Sequence, residues 1–218
     1  MTVIYPARYT DRFGTETTAI TNDTETLAMV VRGVRFHGND FDGFEPLGVT
    51  DPAQLATFTL LHGSLCFCTL EADIPIPVVT PTGTVDGLLT FELVLGEPLP
   101  TGQMDRERLA LRLTFGGQTH ASDGTSGWFE DEMLDVQRKL PPGTFLKACI
   151  NCAFSDYSPC GHGLFGGLAC FRDNKTGYRA VTGKDALFVV WDTMNEFVQE
   201  THLCSEFERR VPGTGYRG

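Results

Sequence analysis

The first 122 residues carry apolar and polar positions in a two-residue rhythm. Leu27, Met29 and Val31 fall on one face and Thr26, Ala28 and Val30 on the other, directly after the turn-forming pair Asn22-Asp23. Leu109, Leu111, Leu113 and Phe115 share one face of another strand, which closes at Gly116-Gly117. The runs from Leu65 to Leu70 and from Leu88 to Leu95 are rich in strand formers and bounded by Gly and Pro. Several short strands joined by turns predict an N-terminal antiparallel β-sheet, sandwich-like or barrel-like. Pro75 and Pro77 lack the N–H a central ladder needs, so their segment is expected at an edge or in a connection.

From Gly127 the period changes. Phe129, Met133, Val136 and Leu140 are spaced by four, three and four, which predicts a helix over 127–140. Thr125 and Ser126 are candidate N-caps. Glu130, Asp131 and Glu132 suit the positive N-terminus, Arg138 and Lys139 the other end, and Pro141-Pro142-Gly143 stops the helix. Residues 144–172 show little periodicity but hold four cysteines, so they need an organising centre. Residues 185–194 read as a helix and 196–203 as a strand, while the tail from Val211 shows no pattern that would bury it. The fold class is therefore α+β: an antiparallel β-domain over 1–122, then a zinc-stabilised α+β segment over 123–218 expected to pack on it as one unit.

Composition narrows the function. With 41% hydrophobic and 21% charged residues, the chain is neither disordered nor membrane-embedded. The N-terminus lacks the basic and apolar regions of a signal peptide, and the longest apolar run, from Ala186 to Trp191, is far too short to span a bilayer, so a cytoplasmic location is expected. The net charge is −11. Residues 1–148 hold 10 basic and 20 acidic residues and residues 172–218 hold 7 of each, which argues against a nucleic-acid partner.

In a reducing cytosol, clustered cysteines point to metal more than to disulfides. Cys149-Ile-Asn-Cys152 is the strongest feature, because a C-x-x-C turn can offer two thiolates to one Zn²⁺. A structural site needs two more ligands. Cys170, after a glycine-rich run, and Cys204, ahead of a turn, are favoured, and Cys160 with His162 is the competing pair. A redox pair or simply buried thiols are the other readings. Cys66 and Cys68 are read as apolar fillers on one strand face, and Trp128 and Trp191 as core anchors. His37, His62, His120 and His202 are isolated. Cys160, His162 and Asp156 sketch a thiol, a base and an orienting acid, but such groups normally come from distant segments.

The segments Gly124-Thr-Ser-Gly-Trp-Phe-Glu-Asp-Glu132, Ser155-Asp-Tyr-Ser-Pro159, Gly163-Leu-Phe-Gly166, Cys170-Phe-Arg-Asp-Asn-Lys175, Phe197-Val-Gln-Glu-Thr201 and the ending Gly213-Thr-Gly-Tyr-Arg-Gly218 resemble an uncharacterised family of short actinomycete proteins of unknown function. The resemblance implies that Cys149, Cys152, Cys170 and Cys204 belong to a shared pattern and that other residues fill the position of Cys160. It implies no activity.

The expected function is a zinc-stabilised cytosolic binding or adaptor protein, with an unknown protein or small-molecule partner, no nucleic acid and no membrane. Four thiolates would saturate the zinc and leave no position for a reactive water. The alternatives are an enzyme of unknown class with a cleft between the β-domain and the zinc segment, and a nucleic-acid-binding zinc module using Arg172, Lys175, Arg209, Arg210 and Arg217.

Overall fold

The computed structural model describes residues 2–49 and 51–217. The described chain is mostly antiparallel β-structure with a few short helices. Its elements are β1 (Val3–Asp11), β2 (Gly14–Asn22), β3 (Leu27–Val31), β4 (Val34–Gly38), β5 (Glu45–Pro46), α1 (Pro52–Leu55), β6 (Thr59–Leu61), β7 (Ser64–Cys66), β8 (Cys68–Thr80), β9 (Gly83–Leu95), β10 (Glu107–Phe115), β11 (Gln118–Ala121) and α2 (Phe129–Arg138). They continue with β12 (Phe145–Leu146), β13 (Ser155–Tyr157), β14 (Leu168–Cys170), α3 (Lys175–Arg179), α4 (Lys184–Val190) and β15 (Glu196–Val198). Contacts divide the chain into two compact units, residues 1–75 with 87–139 and residues 76–86 with 140–218. The helix α2 thus belongs with the first unit, and the tip of the β8–β9 hairpin with the second.

The large sheet runs in the order β11-β10-β9-β8-β1-β2-β3-β4-β5. In the first unit the alternation read from sequence becomes an inward face: Leu27, Met29 and Val31 of β3 and Leu109, Leu111 and Leu113 of β10 are all buried. The helix α2 packs on β10 through Phe129, Met133 and Val136. Phe129 meets Phe91 and Phe41, with ring centroids 6.3 and 6.0 Å away, while Phe41 and Phe91 lie 4.4 Å apart. Aromatic groups at these separations add to the burial of their large apolar area.

Two local readings are corrected. Pro75 and Pro77 sit inside the thirteen-residue strand β8 rather than in a connection. On that edge pairing with β1 ends at Ala72 and pairing with β12 begins at Val78, so the missing N–H groups interrupt neither ladder. Cys66 and Cys68 are buried as expected but do not share an unbroken strand: Phe67, with φ +52°, separates β7 from β8.

The start of α2 is organised from inside the helix. Neither Thr125 nor Ser126 is the N-cap; that position is Trp128, whose side chain caps nothing and is half exposed rather than a core anchor. Instead the buried Glu132 turns back over the preceding loop. Its carboxylate accepts from the N–H of Gly124 (2.9 Å), the N–H of Ser126 (2.8 Å) and the Ser126 hydroxyl (2.7 Å). Burial alone would raise the Glu132 carboxyl, but hydrogen bonds from Ser122, Ser126 and Gly124 outweigh it and hold it below the ordinary glutamate range. At the other end, Lys139 donates to Asp123, Asp135 and the Ala121 carbonyl.

In the second unit β13-β14-β15 form a small antiparallel sheet. Phe154, Phe171, Tyr178, Val181 and Leu187 make its core, and Trp191 packs edge-on against Phe171, with centroids 5.9 Å apart. The helix predicted over 185–194 appears as α4 followed by a 3₁₀ turn, Trp191–Thr193. The strand predicted over 196–203 stops at Val198. There Gln199, Glu200 and Thr201 turn inward, and the His202 N–H closes a turn onto the Gln199 carbonyl at 3.0 Å. Among the described residues no helix is long and apolar enough to cross a membrane.

Glu132→Gln should place an amide NH₂ against backbone N–H donors and lower the stability of the first unit by about 1–3 kcal/mol. Because the folded carboxyl is more acidic than the unfolded one, its contribution is complete above the ordinary glutamate pKa of about 4.3 and is lost as the pH falls through the lower folded value. Thermal melts of the two proteins from pH 3 to 7 should therefore converge at the acid end, and parallel curves would contradict this role.

Candidate metal centre

The second unit is assembled around the turn Cys149–Cys152. The 3₁₀ turn Cys149–Asn151 closes when the Cys152 N–H reaches the Cys149 carbonyl at 3.0 Å, and the Asn151 side chain pins it by donating to the Leu146 carbonyl at 3.0 Å. A C-x-x-C sequence closed in this way holds its two cysteines on one short loop. That loop is stitched to residues 200–210: the Cys149 N–H donates to the His202 carbonyl (2.9 Å), Ile150 to Glu200 (3.0 Å), Ala153 to Glu208 (2.7 Å), and the Arg210 N–H to Asn151 (2.8 Å). The stitches deliver Cys204.

Cys170 arrives on β14, whose partner β13 begins three residues after Cys152, with Ser155 opposite Cys170. The Phe171 N–H bonds the Phe154 carbonyl (2.8 Å) and the Asn195 N–H bonds the Cys170 carbonyl (2.8 Å), fixing the strand end from both sides. Cys149, Cys152 and Cys170 are buried and Cys204 is half-buried.

Cys149 lies within electrostatic reach of the other three thiols. Burial pushes the Cys149 thiol up, and charge on Cys152, Cys170 or Cys204 would push it further. Burial also raises Cys170, against which the Arg172 backbone N–H and guanidinium act. Two sulfurs accept N–H groups from the residue two positions on: Arg172 to Cys170, and Glu206 to Cys204 at 3.3 Å. The Arg172 guanidinium adds a longer contact to Cys170 Sγ (3.8 Å) while paired with Glu196. Sulfur is a weak acceptor as a thiol and a far better one as a thiolate, so the Arg172 contacts favour the thiolate of Cys170 against its burial. Among the described residues no three His, Cys, Asp or Glu side chains are drawn into metal-ligand geometry.

The competing pair lies elsewhere. Cys160 is exposed in a loop where its N–H bonds Ser158 Oγ at 3.2 Å, and His162 stacks on Tyr157 with ring centroids 4.0 Å apart. Asp156 does not orient them. Its carboxylate is fully buried and accepts from the Tyr178 hydroxyl (2.7 Å) and the Tyr216 N–H (2.8 Å), with Arg217 Nε 3.4 Å away. The thiol-base-acid arrangement sketched from sequence is thus not formed.

The tail expected to be unburied is docked. Arg210 and Arg217 reach inward to the Ser155 carbonyl, and Arg209 lies over the Phe145 ring at 4.3 Å. Lys175 pairs with Glu206 at 2.9 Å and Arg172 with Glu196. The basic residues proposed for a positive face are therefore largely engaged.

Sequence reasoning also missed Glu200, which is completely buried. It accepts from the Gly166 N–H (2.7 Å) and the Tyr157 hydroxyl (2.8 Å), and burial raises its pKa. A lone acid in Val198-Gln-Glu-Thr201 gives no period to betray it; the nearest signal is Gly166-Gly167, whose N–H groups hold the carboxylate.

Residues 3–155, more than two thirds of the chain, match a family described as a family of unknown function (DUF6304). The match includes Cys149 and Cys152 and ends before Cys170 and Cys204. No curated protein and no solved structure matches.

Exposure and thiol acidity give a direct expectation. Cys160 alone is exposed, and burial pushes Cys68 up to about 12, so native protein should show a single fast thiol toward a chromogenic disulfide reagent. Cys160→Ser should abolish that phase and leave at most the slower, half-buried Cys204, and fast reaction of two or more thiols in the variant would contradict the burial of the other five.

Proposed function

The chain belongs to the DUF6304 family, whose description assigns no activity, and we propose that Cys149, Cys152, Cys170 and Cys204 hold one structural Zn²⁺ in a cytosolic binding or adaptor protein. The observation that carries the reading is the approach of two segments, β14 with Cys170 and residues 200–210 with Cys204, to one C-x-x-C turn. The donor set fits zinc, which takes four thiolates at about 2.3 Å in a closed tetrahedron. Loading must displace the protons that burial holds on Cys149 and Cys170, so affinity should rise with pH.

A closed four-sulfur site contributes fold energy where the local core is small, and supplies no metal-bound water for hydrolysis. Binding is the role this leaves. The second unit offers apolar surface for it: Val189 on α4 is 84% exposed, and Phe188, Phe197, Leu203 and Val211 are exposed as well. A protein or small apolar ligand suits that surface. Nucleic acid does not, because the net charge is −11 and the C-terminal arginines are engaged.

Protein purified without a tag should carry one zinc per chain by elemental analysis. Cys149→Ser, Cys152→Ser, Cys170→Ser and Cys204→Ser should each lose it, and Cys160→Ser should keep it. Chelation should expose residues 140–218 to protease before the first unit. A metal-free chain, or zinc lost from Cys160→Ser or His162→Ala but retained in Cys170→Ser, overturns the assignment.

A further inference from the structure

We propose that the groove where β2 and β3 part binds a short aliphatic carboxylate, with Arg35 taking the carboxylate and Ala19, Ala28 and Val30 the hydrocarbon. The groove lies wholly in the first unit and shares no residue with the thiol centre. Its origin is a ladder that stops early. Strand β2 pairs with β3 only at Thr21↔Ala28 and Asn22↔Leu27, although β2 extends back to Gly14 and β3 on to Val31. Beyond those pairs a side chain spans the seam, the Thr18 hydroxyl donating to the Val30 carbonyl at 2.7 Å. The Thr21 hydroxyl makes the same kind of bond to the Ala28 carbonyl at 3.1 Å. The parting leaves a solvent-open groove of about 360 Å³, near the lower end of the range of about 300–1,000 Å³ found for small-molecule sites.

The walls are small and apolar. The two-residue period that buries Leu27, Met29 and Val31 turns Ala28 and Val30 outward, and Val30 is 52% exposed. Ala19 lines the groove from β2, and Arg35, the register partner of Val30 on β4, lines it from the other side. The polar groups decide which ligand fits. Both threonine protons are committed to strand carbonyls, so neither hydroxyl has a proton left for an anion. Arg35 supplies the charge instead. Among the described residues no hydrogen bond or ion pair engages its guanidinium, in a chain where acids outnumber bases 28 to 17. Elsewhere in the same sheet Arg8 pairs with Glu71 at 2.9 Å and Arg108 with Glu92 at 3.0 Å. A guanidinium beside hydrocarbon suits a planar carboxylate, which it meets through two parallel N–H bonds. A phosphate dianion suits it less: one guanidinium leaves most of the phosphate oxygens without donors, and a net charge of −11 repels a dianion more than a monoanion.

Hexanoate is the probe, titrated into the full-length ¹⁵N-labelled protein and followed by amide NMR shifts. Saturable shifts should appear at Ala19, Ala28 and Val30, with a Kd of about 1–10 mM for so open a site. Arg35→Ala should weaken binding at least about fivefold, with Arg35→Lys between, because the lysine keeps the charge and loses the fork. Val30→Ser removes apolar wall and should weaken it at least about twofold. Both side chains point outward from the sheet, so each variant should keep the amide spectrum of the unaltered chain away from the groove. Hexanol, which lacks the charge, and inorganic phosphate, which lacks the hydrocarbon, should each bind at least about fivefold more weakly than hexanoate. Smaller losses in Arg35→Ala or Val30→Ser, hexanol or phosphate binding as tightly as hexanoate, or no saturable shift below about 50 mM hexanoate would each overturn the assignment.

Discussion

The turn from Cys149 to Cys152 is the constraint on which the second unit depends. Four residues can satisfy few of their own backbone groups, and a buried N–H or carbonyl without a partner is costly. Here those groups are met by His202, Glu200 and Arg210, and by Arg217 from the tail, so satisfying one short turn fixes the course of residues 200–217. The same bonds place Cys204 and, through β13 and β14, Cys170. Each strand of the small sheet has only three residues, too few for the ladder alone to hold the region. Core packing of Cys152 against Phe154, Phe171 and Tyr178 supports it.

Two buried carboxylates show how this unit accommodates charge. Asp156 is met by a guanidinium, a phenol and a backbone N–H. Glu200 accepts from backbone N–H groups and the Tyr157 phenol, and burial raises its pKa, which favours a proton on it. Glu132 of the first unit is a third solution, held ionised by short bonds from a loop it organises. All three acids act on glycine-containing loops, where backbone N–H groups can turn toward a carboxylate.

The parts of the fold that a period can describe were readable in the sequence. The alternation at Leu27, Met29 and Val31 and the spacing of Phe129, Met133 and Val136 have counterparts in the structure. What escaped was set by partners remote in sequence. Pro77 lies within a strand because the neighbour on that edge takes its carbonyl, from the Lys147 N–H at 2.9 Å, and asks for no N–H, and Glu132 replaces a cap because its loop curls over it. The tail is ordered by Asp156, sixty residues away from Tyr216. A run of Gly, Thr, Tyr and Arg has no apolar stripe, so its docking is polar and leaves no pattern to read. The thiols were legible as a list; the polar docking of the tail was not.

In the proposed centre four sulfurs, and no other donors, surround one ion. X-ray absorption at the zinc edge on the full-length protein measures this directly. A four-thiolate centre gives a single shell of four sulfur scatterers at about 2.3 Å. A shell containing nitrogen or oxygen at about 2.0–2.1 Å would bring in a histidine or water and contradict a closed four-thiolate centre.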